Sequence, residues 1–92
     1  MATVAEECDI ALWRGYVKSE FTAVRRSDGV VVARSRAFGW RRDADPPREE
    51  PYASAHAELV RALGEEGWAD SGRGEAWYAL AFTREAGARR AE

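Results

Sequence analysis

The chain predicts an α+β domain of element order β-β-α-β, with an antiparallel hairpin, a third strand, and one helix packed on one face of the sheet. Three observations carry that prediction. Two β-rich runs flank Ser27-Asp28-Gly29, a helix-period apolar stripe opens at Pro51 and stops at Gly67, and Glu75 to Arg84 alternates with period two. With 92 residues there is room for one core that hides about 60–65% of the unfolded chain's surface, so residues 1–92 read as a single domain. Its ordered part is expected over residues 9–85, between a flexible N-terminus and a fraying C-terminal tail.

Ile10 to Arg26 is rich in β-branched and aromatic residues without a helical stripe, and reads as one long first strand. A bulge at Gly15 would let Ile10 and Leu12 share a side with Val17, Phe21 and Ala23. Ser27-Asp28-Gly29 then makes a three-residue hairpin loop with Gly29 in the left-handed conformation. That loop sets a register in which Val24 opposes Val32, Thr22 opposes Arg34, Glu20 opposes Arg36, Lys18 opposes Phe38 and Tyr16 opposes Trp40. On the other face Ala23 opposes Ala33 and Phe21 opposes Ser35.

Residues 41–50 combine four acids, three arginines, Pro46 and Pro47 without a large apolar side chain, and predict an exposed loop. Pro51 suits the first turn of a helix whose apolar face is Tyr52, His56, Leu59, Val60 and Leu63. Gly67 fits the left-handed position after that helix, which sets Trp68 against Leu63 in a Schellman motif. Ala69 to Gly74 reads as a turn. Glu75 to Arg84 reads as the third strand, with Tyr78, Leu80 and Phe82 on one side and Trp77, Ala79, Ala81 and Thr83 on the other.

Fourteen basic against sixteen acidic residues give a formal charge of −2, so no global field attracts nucleic acid or an anionic membrane, and a nucleic-acid site would have to be a local patch. Lys18 is the only lysine, and the Arg- and Ala-rich composition points to a GC-rich bacterial genome. Cys8 stands alone, which excludes an intrachain disulfide and a cysteine metal cluster and suggests a reducing cytoplasm. The N-terminus has no signal-peptide pattern, and no run is long and apolar enough to cross a membrane.

Few residues suggest chemistry. His56, the only histidine, lies within the apolar helix face, where a neutral core histidine competes with a general base. Cys8 sits among Glu6, Glu7 and Asp9, which disfavour its thiolate. No cofactor fingerprint or metal-ligand spacing is present, and Gly72-Arg73-Gly74 reads as a tight turn.

With one helix available, one sheet face has no intramolecular cover. By the register above it gathers Tyr16, Lys18, Thr22, Arg34, Arg36, Phe38 and Trp40, together with Trp77. An aromatic patch of that size predicts a non-catalytic interaction module that forms a homodimer or docks a protein partner through this face. Single-stranded nucleic acid stacked on the aromatics, with Lys18, Arg34 and Arg36 on phosphates, is the second functional expectation, ranked behind a face simply shielded by its own arginines. A small enzyme using His56 is the third, and arginine stems lying over the rings would offer a purely structural account of the face.

Overall fold

The computed structural model describes residues 5–40 and 42–85. They form an α+β domain of five strands and one helix: β1 (Ala5–Arg14), β2 (Ser19–Arg25), β3 (Val31–Arg34), α1 (Tyr52–Glu65), β4 (Ala69–Arg73) and β5 (Leu80–Glu85). The sheet order is β3-β2-β1-β5-β4, and every neighbouring pair is antiparallel. The class matches the sequence, while the element order is β-β-β-α-β-β rather than β-β-α-β. Residues 5–8, expected to be flexible, belong to β1; the expected fraying after Glu85 lies outside the described residues.

The long first strand is in fact a hairpin. The amide of Gly15 donates to the carbonyl of Lys18 at 2.9 Å, and the chain turns back so that Leu12 faces Phe21 and Ile10 faces Ala23. The four core residues therefore share a face, by antiparallel pairing rather than by a bulge, while Val17 is left in the exposed turn. Glycine is required at position 15 because a Cβ there would overlap the Lys18 carbonyl oxygen and the Trp13 ring.

The β2–β3 hairpin keeps the predicted register in its middle, with Thr22 opposite Arg34 and Ala23 opposite Ala33. At its turn Gly29 is left-handed, with φ 74°. On either side the register slips. Val24 faces Val31 instead of Val32 across a bulge, and Phe38 bridges to Ser19 instead of Lys18, with both backbone hydrogen bonds at 2.8 Å. A one-residue slip reverses the face a side chain occupies. Phe38 accordingly turns into the core against Phe21 and Tyr52.

Helix α1 lies over β2 and β3 and buries Ala55, His56, Leu59 and Leu63, close to the predicted stripe. Its end is the predicted Schellman motif: the Trp68 amide donates to the Leu63 carbonyl at 3.0 Å, the Gly67 amide donates to the Gly64 carbonyl at 3.1 Å, and Gly67 has φ 94°. Trp68 plugs the core below the helix end, with the Arg84 guanidinium 4.4 Å from its ring centre.

Ala69 to Arg73 is the edge strand β4 rather than a turn, and β5 begins at Leu80 rather than at Glu75. The two differences have separate causes. β4 carries no buried side chain, so its sequence has no apolar signal, and Trp77 and Tyr78 belong to a bend that holds the loop after β3, as described below.

Candidate interaction surface and Arg/aromatic cleft

Opposed residues in an antiparallel pair point to the same side. Glu7, Asp9, Ala11 and Trp13 of β1 thus share the helix-free face with Glu20, Thr22 and Val24 of β2 and with Ala81 and Thr83 of β5. Arg34 joins them opposite Thr22. Charges on this face are paired within the chain. The Arg26 guanidinium forks onto Asp9 at 2.7 and 3.0 Å and also reaches Glu7, and Arg34 lies 3.6 Å from Glu20. The Arg26 hydrogen bonds hold the Asp9 carboxyl below its ordinary pKa. Trp13, 55% exposed, is the large apolar group left uncovered, and Val17 at 63% continues it around the turn.

The residues predicted to make one face are divided by the structure. Arg34 remains on the helix-free side. Arg36 reaches over the other side to Glu58 of α1 at 2.9 Å, and Phe38 is core. Trp40 packs edge-on against Tyr52 of the helix, with ring centres 5.3 Å apart. Trp77 is half-buried against Phe21, His56 and Tyr78. Tyr16, 97% exposed, and Lys18 stand in the β1–β2 turn at the end of the sheet. Replacing Glu20–Arg36 by the pairs Glu20–Arg34 and Arg36–Glu58 follows from the same local slip and from the end of β3 at Arg34.

The loop expected to be merely exposed is clasped along its backbone. The Arg14 guanidinium donates to the carbonyls of Arg42, Asp43 and Ala44. The Trp40 indole N–H donates to Ala44 at 2.8 Å, and that of Trp77 donates to Pro46 at 2.8 Å. The Tyr78 hydroxyl donates to the Asp45 carboxylate at 2.7 Å, and burial together with this bond pushes the phenol up to about 12. Pro46 is fully buried. An irregular segment thus obtains from side chains the hydrogen bonds that a ladder would otherwise supply. Where the loop meets the β1–β2 turn, Arg14, Gly15, Tyr16, Trp40, Arg42 and Asp43 line an open cleft of about 210 Å³. Sequence reasoning missed Arg14, Arg42 and Asp43 as members of this group because the contacts are made to carbonyls 28–30 residues away, which leave no local pattern.

His56 is buried, and since a carbonyl only accepts, its Nε2–H donates to the Tyr78 carbonyl at 2.9 Å. Desolvation holds its pKa below the ordinary value, so the ring is neutral in the core. Cys8 is fully buried, and desolvation, with Asp9 adding to it, pushes its thiol up to about 11. Among the described residues no group of three or more His, Cys, Asp or Glu side chains is placed to hold a metal ion, and no helix is long and apolar enough to cross a membrane. No family model, curated protein or solved structure matches the chain.

Proposed function

We propose that the protein is a non-catalytic interaction module that self-associates through the helix-free face of its sheet, with Trp13 as the central anchor. The observation that carries this reading is the large, half-exposed Trp13 ring on a face whose charged groups already pair with one another. Burying such a face removes apolar area from water without stranding an unpaired ion. Trp is also a favoured interface anchor. The two sheet edges support a face-to-face mode, because β3 and β4 each carry a one-residue irregularity that disrupts the ladder a further strand would join. A reducing bacterial cytoplasm fits this reading, supported by the lone buried thiol and the Arg/Ala-rich composition.

The test is the light-scattering mass of wild type and Trp13→Glu over a wide concentration range, with circular dichroism as a check on folding. A wild-type dimer that becomes a folded monomer on substitution is the expected result. A wild type that stays monomeric throughout, or a dimer indifferent to Trp13→Glu, contradicts it.

A further inference from the structure

The cleft between the β1–β2 turn and the clasped loop adjoins the Trp13 face at Gly15, against which the Trp13 ring packs, but its chemistry is distinct. At about 210 Å³ it is smaller than the roughly 300–1,000 Å³ of sites that enclose a whole drug-sized ligand, so it accommodates one planar group of a ligand that extends beyond it. Two of its walls are aromatic. Tyr16 projects into solvent, while Trp40 is fixed by Tyr52 at its edge and by the hydrogen bond from its indole to Ala44. Arg42 stands 5.7 Å over the Trp40 ring and makes no ion pair among the described residues. The Asp43 carboxylate has no side-chain partner among them either. Arg14 is different, because its guanidinium is committed to the loop carbonyls. It positions the site rather than offering a charge to a ligand.

Among the described residues the cleft therefore presents a stacking surface, one cation without an ion pair and one carboxylate without a side-chain partner, on a loop whose backbone is already clasped, so little ordering entropy is lost on binding. We infer that it is a subsite for one nucleotide unit bearing an exocyclic amine. Arg42 leaves the Trp40 ring to pair with the phosphate, the base takes its place on Trp40 beside Tyr16, and the amine donates to Asp43. A simple aryl carboxylate would satisfy the first two groups and leave Asp43 facing nothing. The unit is supplied by a free mononucleotide or by a single strand, and the local charge of Arg42, not the net charge of −2, governs either case.

Titration of 15N-labelled protein with AMP, UMP and oligo-deoxyadenylate, followed at the Trp40 indole N–H and the Tyr16 amide, tests the assignment. AMP is expected to shift both signals and to bind more tightly than UMP. Arg42→Gln should weaken AMP binding about tenfold, as loss of one charge-assisted contact implies, and Asp43→Ala, which removes the acceptor, should reduce the preference over UMP to what stacking alone supplies. Both residues are exposed, so neither change threatens the fold. Tighter binding of oligo-deoxyadenylate than of AMP identifies a strand as the source, and equal binding per site identifies the mononucleotide. Absence of shifts with AMP and with oligo-deoxyadenylate into the millimolar range overturns the proposal, as does binding that is indifferent to Arg42→Gln. Ala11→Glu, on the same sheet face opposite Thr22 and outside the cleft lining, should break association and leave nucleotide binding unchanged, so this subsite and the docking face succeed or fail separately.

Discussion

Replacing Phe21 with leucine removes the hub of the aromatic core. Phe21 is fully buried, and its ring centre lies 5.1 Å from those of Phe38 and Tyr78, 5.4 Å from His56 and 5.7 Å from Trp77, with the last two near edge-on. Leucine keeps most of the apolar burial but forfeits these ring contacts, at about 0.5–1.5 kcal/mol for each aromatic pair, and leaves a small void. Because the contacts share one ring they do not simply add, and about 2–3 kcal/mol is the expected loss. A chain of 92 residues has a total stability of roughly 5–14 kcal/mol, so the variant should fold with a much reduced margin. Thermal unfolding followed by circular dichroism should show Tm lower by roughly 8–24 °C, taking 4–8 °C per kcal/mol for a domain of this size. Arg61→Ala, on the exposed side of α1, is the control and should stay within about 0.5 kcal/mol of wild type. A Phe21→Leu loss no larger than that of the control would refute the placement of Phe21 at the centre of the core.

Other expectations follow from single groups. Gly15→Ala drives a Cβ into the Lys18 carbonyl and the Trp13 ring, and should cost about 1–3 kcal/mol in urea unfolding; an unchanged midpoint would mean that the turn relaxes freely. His56 is held neutral in the folded state, so the unfolded chain takes up a proton first as pH falls below about 6.5. Stability is therefore complete above that pH and declines below it, by at most about 1.4 kcal/mol per pH unit, until the folded-state pKa is reached. His56→Gln should remove this contribution to the acid slope, and an identical slope in the variant would contradict it. The Cys8 thiol, fully buried and pushed up to about 11, should resist an aromatic disulfide reagent in the native protein at neutral pH and react at once after unfolding; fast native labelling would show that β1 opens readily.

Helix α1 and its end were legible because their signals are local. The stripe Tyr52–His56–Leu59–Leu63 and the pair Gly67–Trp68 lie within a few turns of chain and interact with near neighbours. The middle of the β2–β3 hairpin was legible for the same reason. The β1–β2 turn was not, since Tyr16, Val17 and Lys18 carry no turn chemistry and the only local marker is Gly15. Length was the available signal, because a strand of seventeen residues exceeds the usual three to ten, and it led to a bulge at Gly15 rather than to a chain reversal there. β4 escaped notice because Asp70, Ser71 and Gly72 form an edge strand exposed on both sides, where nothing in the side chains needs to alternate.

The site was legible only in its residue types. Tyr16, Trp40, Arg34 and Arg36 are surface or half-buried groups of an Arg/aromatic class, but their grouping into one face depended on a register that slips after Ser35. That slip moves Phe38 into the core and turns Trp40 toward Tyr52. Trp13 was the reciprocal omission. Its face follows from pairing with Glu20 across a hairpin that the sequence presents as continuous strand.

The central claim, that the Trp13 face is an assembly surface, is tested most directly by soluble-gadolinium relaxation of the protein's NMR signals at low and high protein concentration. The Trp13 indole N–H and the side-chain signals of Ala11 and Val24 should be strongly relaxed in dilute protein and shielded in concentrated protein, while the exposed outer face of α1 around Arg61 stays relaxed in both. Equal relaxation of the Trp13 indole at both concentrations would contradict the claim.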